Sequence, residues 1–220
     1  MSISLQGMGM TSLRTRERMI KRLAEQGIKN QKLLEVMRDT PRHIFMDEAL
    51  SSRAYEDNSL PIGYNQTISQ PYIVARMTEL LLETTGHLEK VLEIGTGCGY
   101  QTAILSPFVG RVYSIERILP LQRKARSHLG ELKLKNISYL YDDGHDGWPD
   151  YAPFNGIIAS AAPSEIPLQL IQQLAVGGVM VIPVGNNSQQ ILQRVTRKAS
   201  GYEVENIELV TFVPFLSGKE

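Results

Sequence analysis

The stretch Val91-Leu92-Glu93-Ile94-Gly95-Thr96-Gly97-Cys98-Gly99-Tyr100 decides the fold. Four mostly apolar residues run into three alternate glycines, and Gln101 to Phe108 can follow as a helix, so the order is strand, tight turn, helix. Glycine at these positions permits positive φ and close backbone approach to a ligand. A helix opening at the turn offers unpaired N–H groups and a partial positive charge, which suits a carboxylate or phosphate.

Glycines in such a turn also serve merely to close a bend, so the next segment decides between the two uses. Arg111-Val112-Tyr113-Ser114-Ile115-Glu116 is a second strand-like run ending in an acid, about 20 residues after the first glycine. A carboxylate there accepts both hydroxyls of a ribose. The spacing G-x-G-x-G departs from the pyrophosphate fingerprint G-x-G-x-x-G. Glu93 before the first glycine would repel a pyrophosphate but suits a ligand carrying an ammonium group. Asp142-Asp143-Gly144, at the end of the following strand, places another acid where it can accept from an adenine amino group. Together these features favour S-adenosylmethionine over a dinucleotide.

The 220 residues suffice for one α/β domain with an N-terminal addition. Lys plus Arg (23) equals Asp plus Glu (23), so no overall basic field draws the chain to nucleic acid. The single cysteine and the absence of cysteine–histidine metal spacing point to a reducing compartment without a bound metal. No segment approaches the roughly 20 apolar residues of a membrane span, and residues 1–12 lack a signal pattern. The expected location is the cytoplasm, with no membrane and no obligate protein partner.

Along the chain, residues 1–12 are expected to be mobile, and residues 13–59 to form a helical cover. Leu13 to Gln26 carries Met19, Ile20 and Leu23 at helical spacing; Asn30 caps a second helix with Leu33, Leu34 and Met37 on one face. Leu60 to Pro71 reads as a connecting loop, and Pro71 as the first residue of a helix bearing Val74, Met77, Leu80 and Leu81. Its place before the Val91 strand suggests that the loop closes over the cofactor. Leu119 to Leu132 is a basic amphipathic helix, Ile137 to Tyr141 a third strand, and Phe154 to Ser160 a fourth. A helix over Ile166 to Ala175, a turn at Gly177-Gly178 and a strand over Val179 to Val184 follow. The alternation implies a doubly wound, mostly parallel sheet. Gln189 to Arg197 and Glu208 to Phe212, with no room for a helix between them, add an antiparallel pair. That ending suits a methyltransferase better than a dinucleotide fold.

In several separated motifs the sequence resembles the protein-L-isoaspartate O-methyltransferases of the bacterial type, from about Leu33 to Phe215. Pro61-Ile62-Gly63 with Gln66-Thr67-Ile68-Ser69-Gln70-Pro71 is similar to the family's signature loop, and Val91 to Tyr100 to its cofactor motif. Asp143-Gly144, Ala161-Ala162-Pro163, Ile166-Pro167, Gly177-Gly178, Pro183-Val184-Gly185 and Phe212-Val213-Pro214 follow in order. The resemblance implies the α/β fold of S-adenosylmethionine-dependent methyltransferases in a single domain, with N-terminal helices and a C-terminal antiparallel strand pair. It implies methyl transfer to the free carboxylate of L-isoaspartyl residues in damaged proteins and peptides, whose esters collapse to succinimides that reopen to normal aspartate. Ser69 is then the active-site serine. Thr67, Ile68, Glu93, Gly95, Thr96, Gly97, Gly99, Glu116, Asp143 and Gly144 hold the cofactor, and Ile62, Phe212, Val213 and Pro214 lie beside the peptide. Two positions depart from the family: Asn155 where Asp is usual, and Cys98 where Ser is common.

A carboxylate is already anionic at neutral pH and a sulfonium methyl already activated, so neither acid nor base is required and Ser69 is assigned a positioning role. No G-x-S-x-G elbow surrounds Ser69, and His43, His87, His128 and His145 lie in segments that read as surface or loop, which argues against a serine hydrolase. A methyltransferase for another small nucleophile and a non-catalytic cofactor-binding module are the competing readings. Cys98 is either a packed, inert thiol or one that faces the cofactor pocket from a helix N-terminus.

Overall fold

The computed structural model describes residues 9–83, 88–186 and 188–220. Of the stretch expected to be mobile, residues 1–8 lie outside these, as does His87, while Gly9–Thr11 form a 3-10 turn leading into the first helix. Helix α1 (Leu13–Glu25) turns Met19 and Leu23 inward, and α2 (Gln31–Asp39) buries Leu33, Leu34 and Met37. Asn30 Oδ1 accepts the Leu33 N–H at 3.0 Å, the expected cap on an otherwise orphaned donor. Together these helices pack against Tyr100, Ala103 and Ile104, so they cover the core on the side of the glycine turn.

Residues 60–68, read above as a loop, form an antiparallel hairpin of β1 (Leu60–Gly63) and β2 (Gln66–Ile68). Its turn has positive φ at Gly63, Tyr64 and Asn65, the chemistry of a tight hairpin connection, whereas Pro61 argued against a strand. Pro61 is tolerated because this sheet has only two strands and both are edges. Helix α3 (Pro71–Leu82) begins with Pro71 in its first turn. Its buried Glu79 accepts the amides of Lys29 and Asn30 at 2.7 and 2.9 Å, fastening the N-terminal cover to the core.

The main sheet starts with β3 (Lys90–Ile94), then α4 (Tyr100–Leu105), β4 (Arg111–Glu116), α5 (Leu119–Glu131), β5 (Ile137–Tyr141), β6 (Phe154–Ala159) and α6 (Leu168–Gln172). It closes with β7 (Leu174–Gly185), β8 (Gln190–Arg197) and β9 (Tyr202–Val210). The order is β5-β4-β3-β6-β7-β8-β9, parallel through β7 and antiparallel thereafter. β3, β4 and β6 are buried along nearly their whole length, as central strands covered on both faces must be. The expected doubly wound sheet with an antiparallel ending is therefore present.

Three boundaries differ from the sequence reading. Pro107 has no N–H with which to continue α4, so residues 106–108 form a 3-10 turn. The expected 166–175 helix shrinks to α6, because Leu174 already pairs with Phe154 and the Gly177-Gly178 pair lies in an irregularity inside β7. A Cβ at Gly178 would come within 2.9 Å of the Ala175 carbonyl and 3.0 Å of that of Asn155, which explains the glycine there. Finally, β9 begins at Tyr202 and ends before Phe212; its exposed Glu-rich start hides the strand pattern.

Candidate functional site

In an open α/β sheet, ligands bind at the carboxyl ends of the strands where the order reverses. The chain runs outward from β3 to β5 and then returns to β6 on the other side of β3, so the reversal falls at the glycine turn. The amides of Gly95 and Thr96 both donate to Ile115 O, at 2.9 and 3.2 Å, which stitches the turn to β4. Gly97 N donates to Glu116 Oε2 at 2.8 Å, and Ile118 N to Oε1 at 2.9 Å. Glu116 is thereby fixed at the rim with one lone-pair site left on each oxygen for a ligand hydroxyl. Burial raises its pKa, and the bonds from Gly97 and Ile118 oppose that rise.

Around this carboxylate lies a cavity whose walls come from several elements. Gly95, Gly97, Glu116 and Gly144 line it from the ends of β3, β4 and β5, and Ile62 and Thr67 from the hairpin. Val213 and Pro214 line its far side. A second cleft holds Ser69 and Phe212. Thr67, Ser160 and Val213 line both, so the two spaces adjoin.

Several predicted residues are elsewhere. Glu93 is fully buried on β3 away from the cavity, and its Oε2 accepts from Thr102 Oγ1 at 2.6 Å and Ser114 Oγ at 2.5 Å. It cannot meet a ligand ammonium group; instead it braces the layer beneath the turn. Thr96 belongs to the same network, its hydroxyl 2.6 Å from Ser114 Oγ. Gly99 caps α4 with φ 92°, and a Cβ there would meet Leu129 and Ala125 of α5, so its glycine serves helix packing. Ile68 alternates inward from Thr67 into the core under the N-terminal helices. Asp143 does not line the cavity: its carboxylate accepts from the amide and ring of His145 and, at 2.6 Å, from Gly218 N. Partial burial raises the Asp143 pKa, but those bonds outweigh it and hold the group below its ordinary value. Ile62 and Pro214, expected beside a peptide, line the Glu116 cavity and not the Ser69 cleft.

Sequence reasoning missed Ser160, Arg117 and Leu216 as lining residues. Ser160 directly follows β6, and the rule of strand carboxyl ends flags it. Leu216 had no signal, since only tertiary packing brings it over the cavity.

The two departures from the family have structural accounts. Asn155 Oδ1 accepts the Lys90 amide at 2.9 Å, a bond that needs an oxygen and no charge. Cys98 is 6 % exposed and lines a separate notch with Phe45 and His128, so it does not face the Glu116 cavity. Burial pushes its thiol up to about 11. Alkylation by iodoacetamide at pH 8 is therefore expected to run at least about 100-fold slower than for a free thiol, from the lost thiolate fraction alone. Timed intact mass with and without S-adenosylhomocysteine checks this; protection by that ligand would return Cys98 to the cavity wall.

Among the described residues no histidine is bonded to Ser69. His145 bonds Asp143, His128 the carbonyl of Cys98, and His43 the hydroxyl of Tyr55.

Comparison with known proteins agrees with this geometry. Residues 14–220 match the model of the family described as protein-L-isoaspartate(D-aspartate) O-methyltransferase. Among similar chains, the protein-L-isoaspartate O-methyltransferase of Cellvibrio japonicus is 57% identical over 219 residues, covering 99% of this chain and 98% of that one. That of Methylobacillus flagellatus is 60% identical over 221 residues, with 99% and 98% covered. The fold matches a Plasmodium falciparum protein described as a protein-L-isoaspartate O-methyltransferase, in complex with S-adenosyl-L-homocysteine. The TM-score is 0.79 at 21% identity, with 91% of this chain and 98% of that one covered. A match over nearly the whole chain, together with relatives well above half identical, places this protein in the protein-L-isoaspartate(D-aspartate) O-methyltransferase family.

Proposed function

We propose that the Glu116 cavity holds S-adenosyl-L-methionine and the Ser69 cleft the isoaspartyl carboxylate, the two meeting at Thr67, Ser160 and Val213. The activity is that of the family: transfer of a methyl group from S-adenosyl-L-methionine to the free carboxylate of L-isoaspartyl residues in damaged proteins and peptides. The observation that carries the assignment of places is the adjoining of the two spaces.

The residues present fit the cofactor. Glu116 keeps an acceptor site on each oxygen for a ribose, Gly95 and Gly97 leave the turn bare of side chains, and Ile94, Ile115 and Leu216 offer apolar wall. When bound, the cofactor supplies an activated sulfonium methyl. The isoaspartyl carboxylate is ionised at neutral pH, so this chain has no proton to move and works by binding, orienting and excluding water. Among the described residues no partner engages the Ser69 hydroxyl, which is free to donate to a substrate carboxylate. No lysine or arginine lines the cleft among the described residues. Glu208 in its wall is bonded by Tyr72 OH at 3.2 Å and paired with Arg76 at 3.5 Å. Holding an anion with neutral hydroxyls avoids over-stabilising the nucleophile in its ground state. Among the described residues no helix is long and apolar enough to cross a membrane. We place the enzyme in the cytoplasm, where its lone thiol would stay reduced.

Methyl-labelled cofactor with isoaspartyl and aspartyl versions of one peptide tests the function. Base-labile label is expected on the isoaspartyl version alone, and equal labelling of both would overturn the substrate. Ser69→Ala is expected to lower kcat/KM about tenfold, the loss of one hydrogen bond to a charged group. The pH–rate profile should keep its shape, and calorimetry should show unchanged S-adenosylhomocysteine affinity, because Ser69 lines only the substrate cleft. A covalent adduct on Ser69 in the mass spectrum would refute the positioning role.

A further inference from the structure

Glu208 is the one charged side chain among the described residues that line the Ser69 cleft, and it is an acid in a space assigned to an anion. Its placement depends on an irregularity of the sheet. Where β8 pairs with β9, Gln193 faces Asn206 and Leu192 faces Glu208, so Ile207 is an extra residue. An unbroken ladder would set Ile207 opposite Leu192, an apolar pair on the face that packs with α3; the bulge sets a carboxylate there instead. Helix α3 meets it with Tyr72 and Arg76, which share one helix face at a spacing of four. Tyr72 OH donates to Glu208 Oε1 at 3.2 Å, and Arg76 Nε lies 3.5 Å from the same oxygen. Oε2 has no partner among the described residues. Arg76 is itself shared, with Nη1 3.5 Å from Glu79 Oε2, and it does not line the Ser69 cleft. The charge of Glu208 is therefore offset only in part, and from outside the cleft.

We infer that Glu208 is a specificity-determining residue for the peptide: it favours isoaspartyl sites flanked by a basic side chain and disfavours those flanked by an acidic one. The inference rests on the assignment of the cleft to the substrate. The reacting carboxylate is common to every isoaspartyl site, so its repulsion by Glu208 weakens all peptides alike and does not discriminate among them. The neighbouring side chains do differ. A lysine or arginine beside the isoaspartyl residue can pair with the free Oε2, whereas an aspartate or glutamate brings a second anion to a carboxylate that already faces one. Specificity is a difference of affinities, and a repulsive contact contributes to it as an attractive one does. At 30 % exposure the Glu208 charge is screened but not lost, and reversing the sign of a neighbour changes the energy by about twice what a single such pair contributes. No other charge in the cleft wall opposes it among the described residues.

Methyl-transfer kinetics of the full chain test this, with saturating S-adenosylmethionine and one isoaspartyl peptide carrying lysine, glutamine or glutamate on either side of the isoaspartyl residue. In the wild type, kcat/KM at low salt is expected to be about tenfold higher for the lysine than for the glutamate peptide, with the difference carried by KM and shrinking as salt is added. Glu208→Gln keeps an acceptor for Tyr72 and should bring the three peptides to within about twofold of one another. S-adenosylhomocysteine affinity should not change, because Glu208 does not line the Glu116 cavity. Arg76→Gln removes the counter-charge and should widen the lysine-to-glutamate ratio, a shift that a merely structural tie between β9 and α3 would not give. A wild type that takes all three peptides equally, or a ratio that survives Glu208→Gln while only the melting temperature moves, would overturn Glu208 as the discriminating group. A wild type that methylates none of the peptides would overturn the substrate assignment itself, and the charge preference with it.

Discussion

Glu116→Ala is expected to weaken S-adenosylhomocysteine binding by about 100-fold in a calorimetric titration, the largest loss of affinity from any single side chain of the cavity. Hydrogen bonds to a charged acceptor contribute roughly 1.5–3 kcal/mol, and this carboxylate has one free site on each oxygen. The same side chain accepts from Gly97 N and Ile118 N, so alanine also strands two backbone donors beside the ligand and loosens the turn. Glu116→Gln separates the two contributions. An amide keeps one acceptor oxygen but turns an N–H toward one of the backbone donors, so it should lose affinity as well while melting closer to the wild type. Unchanged affinity in both variants would remove Glu116 from the cofactor site.

How far the sequence revealed this arrangement depended on whether the signal was local. Gly95, Gly97 and Glu116 sit at the ends of strands whose apolar runs and spacing are visible in the chain, and they line the cavity. Glu93, Thr96 and Gly99 belong to the same motif yet serve the layer beneath it, because strand alternation and helix packing aim them away. Motif membership therefore located the site but not the face each residue presents. Asp143 is held outside the cavity lining for a different reason: its partner Gly218 is 75 residues away in the chain. No periodicity reports such a contact, and the same is true of Leu216 and Arg117. The hairpin at 60–68 was hidden by Pro61, which excludes a central strand but not an edge.

Glu93→Gln is expected to change the pH dependence of stability more than any other substitution. Burial pushes the Glu93 carboxyl up to about 7, against the pull of the Ser114 and Thr102 hydroxyls and with a small added push from the Glu116 charge. In the unfolded chain the group titrates near its ordinary value of about 4.3. A folded-state pKa above the unfolded one means that the native protein holds a proton which the unfolded chain has released. Its contribution to stability is thus fully present below about pH 4.3, falls as pH rises, and is gone above about pH 7. Over that window the loss amounts to roughly 4 kcal/mol. Glutamine is neutral throughout and keeps an oxygen for Ser114 and Thr102, so its stability curve lacks this slope. Its amide nitrogen falls where Glu93 Oε1 has no hydrogen-bond partner, a cost that is independent of pH and leaves the slope untouched. Urea unfolding of both proteins between pH 4.5 and 8 reads the difference directly: the variant should gain on the wild type as pH rises and then run parallel to it. Curves that stay parallel across the whole range would mean that Glu93 is ionised in the folded protein at pH 5, and that the network beneath the glycine turn holds a charge.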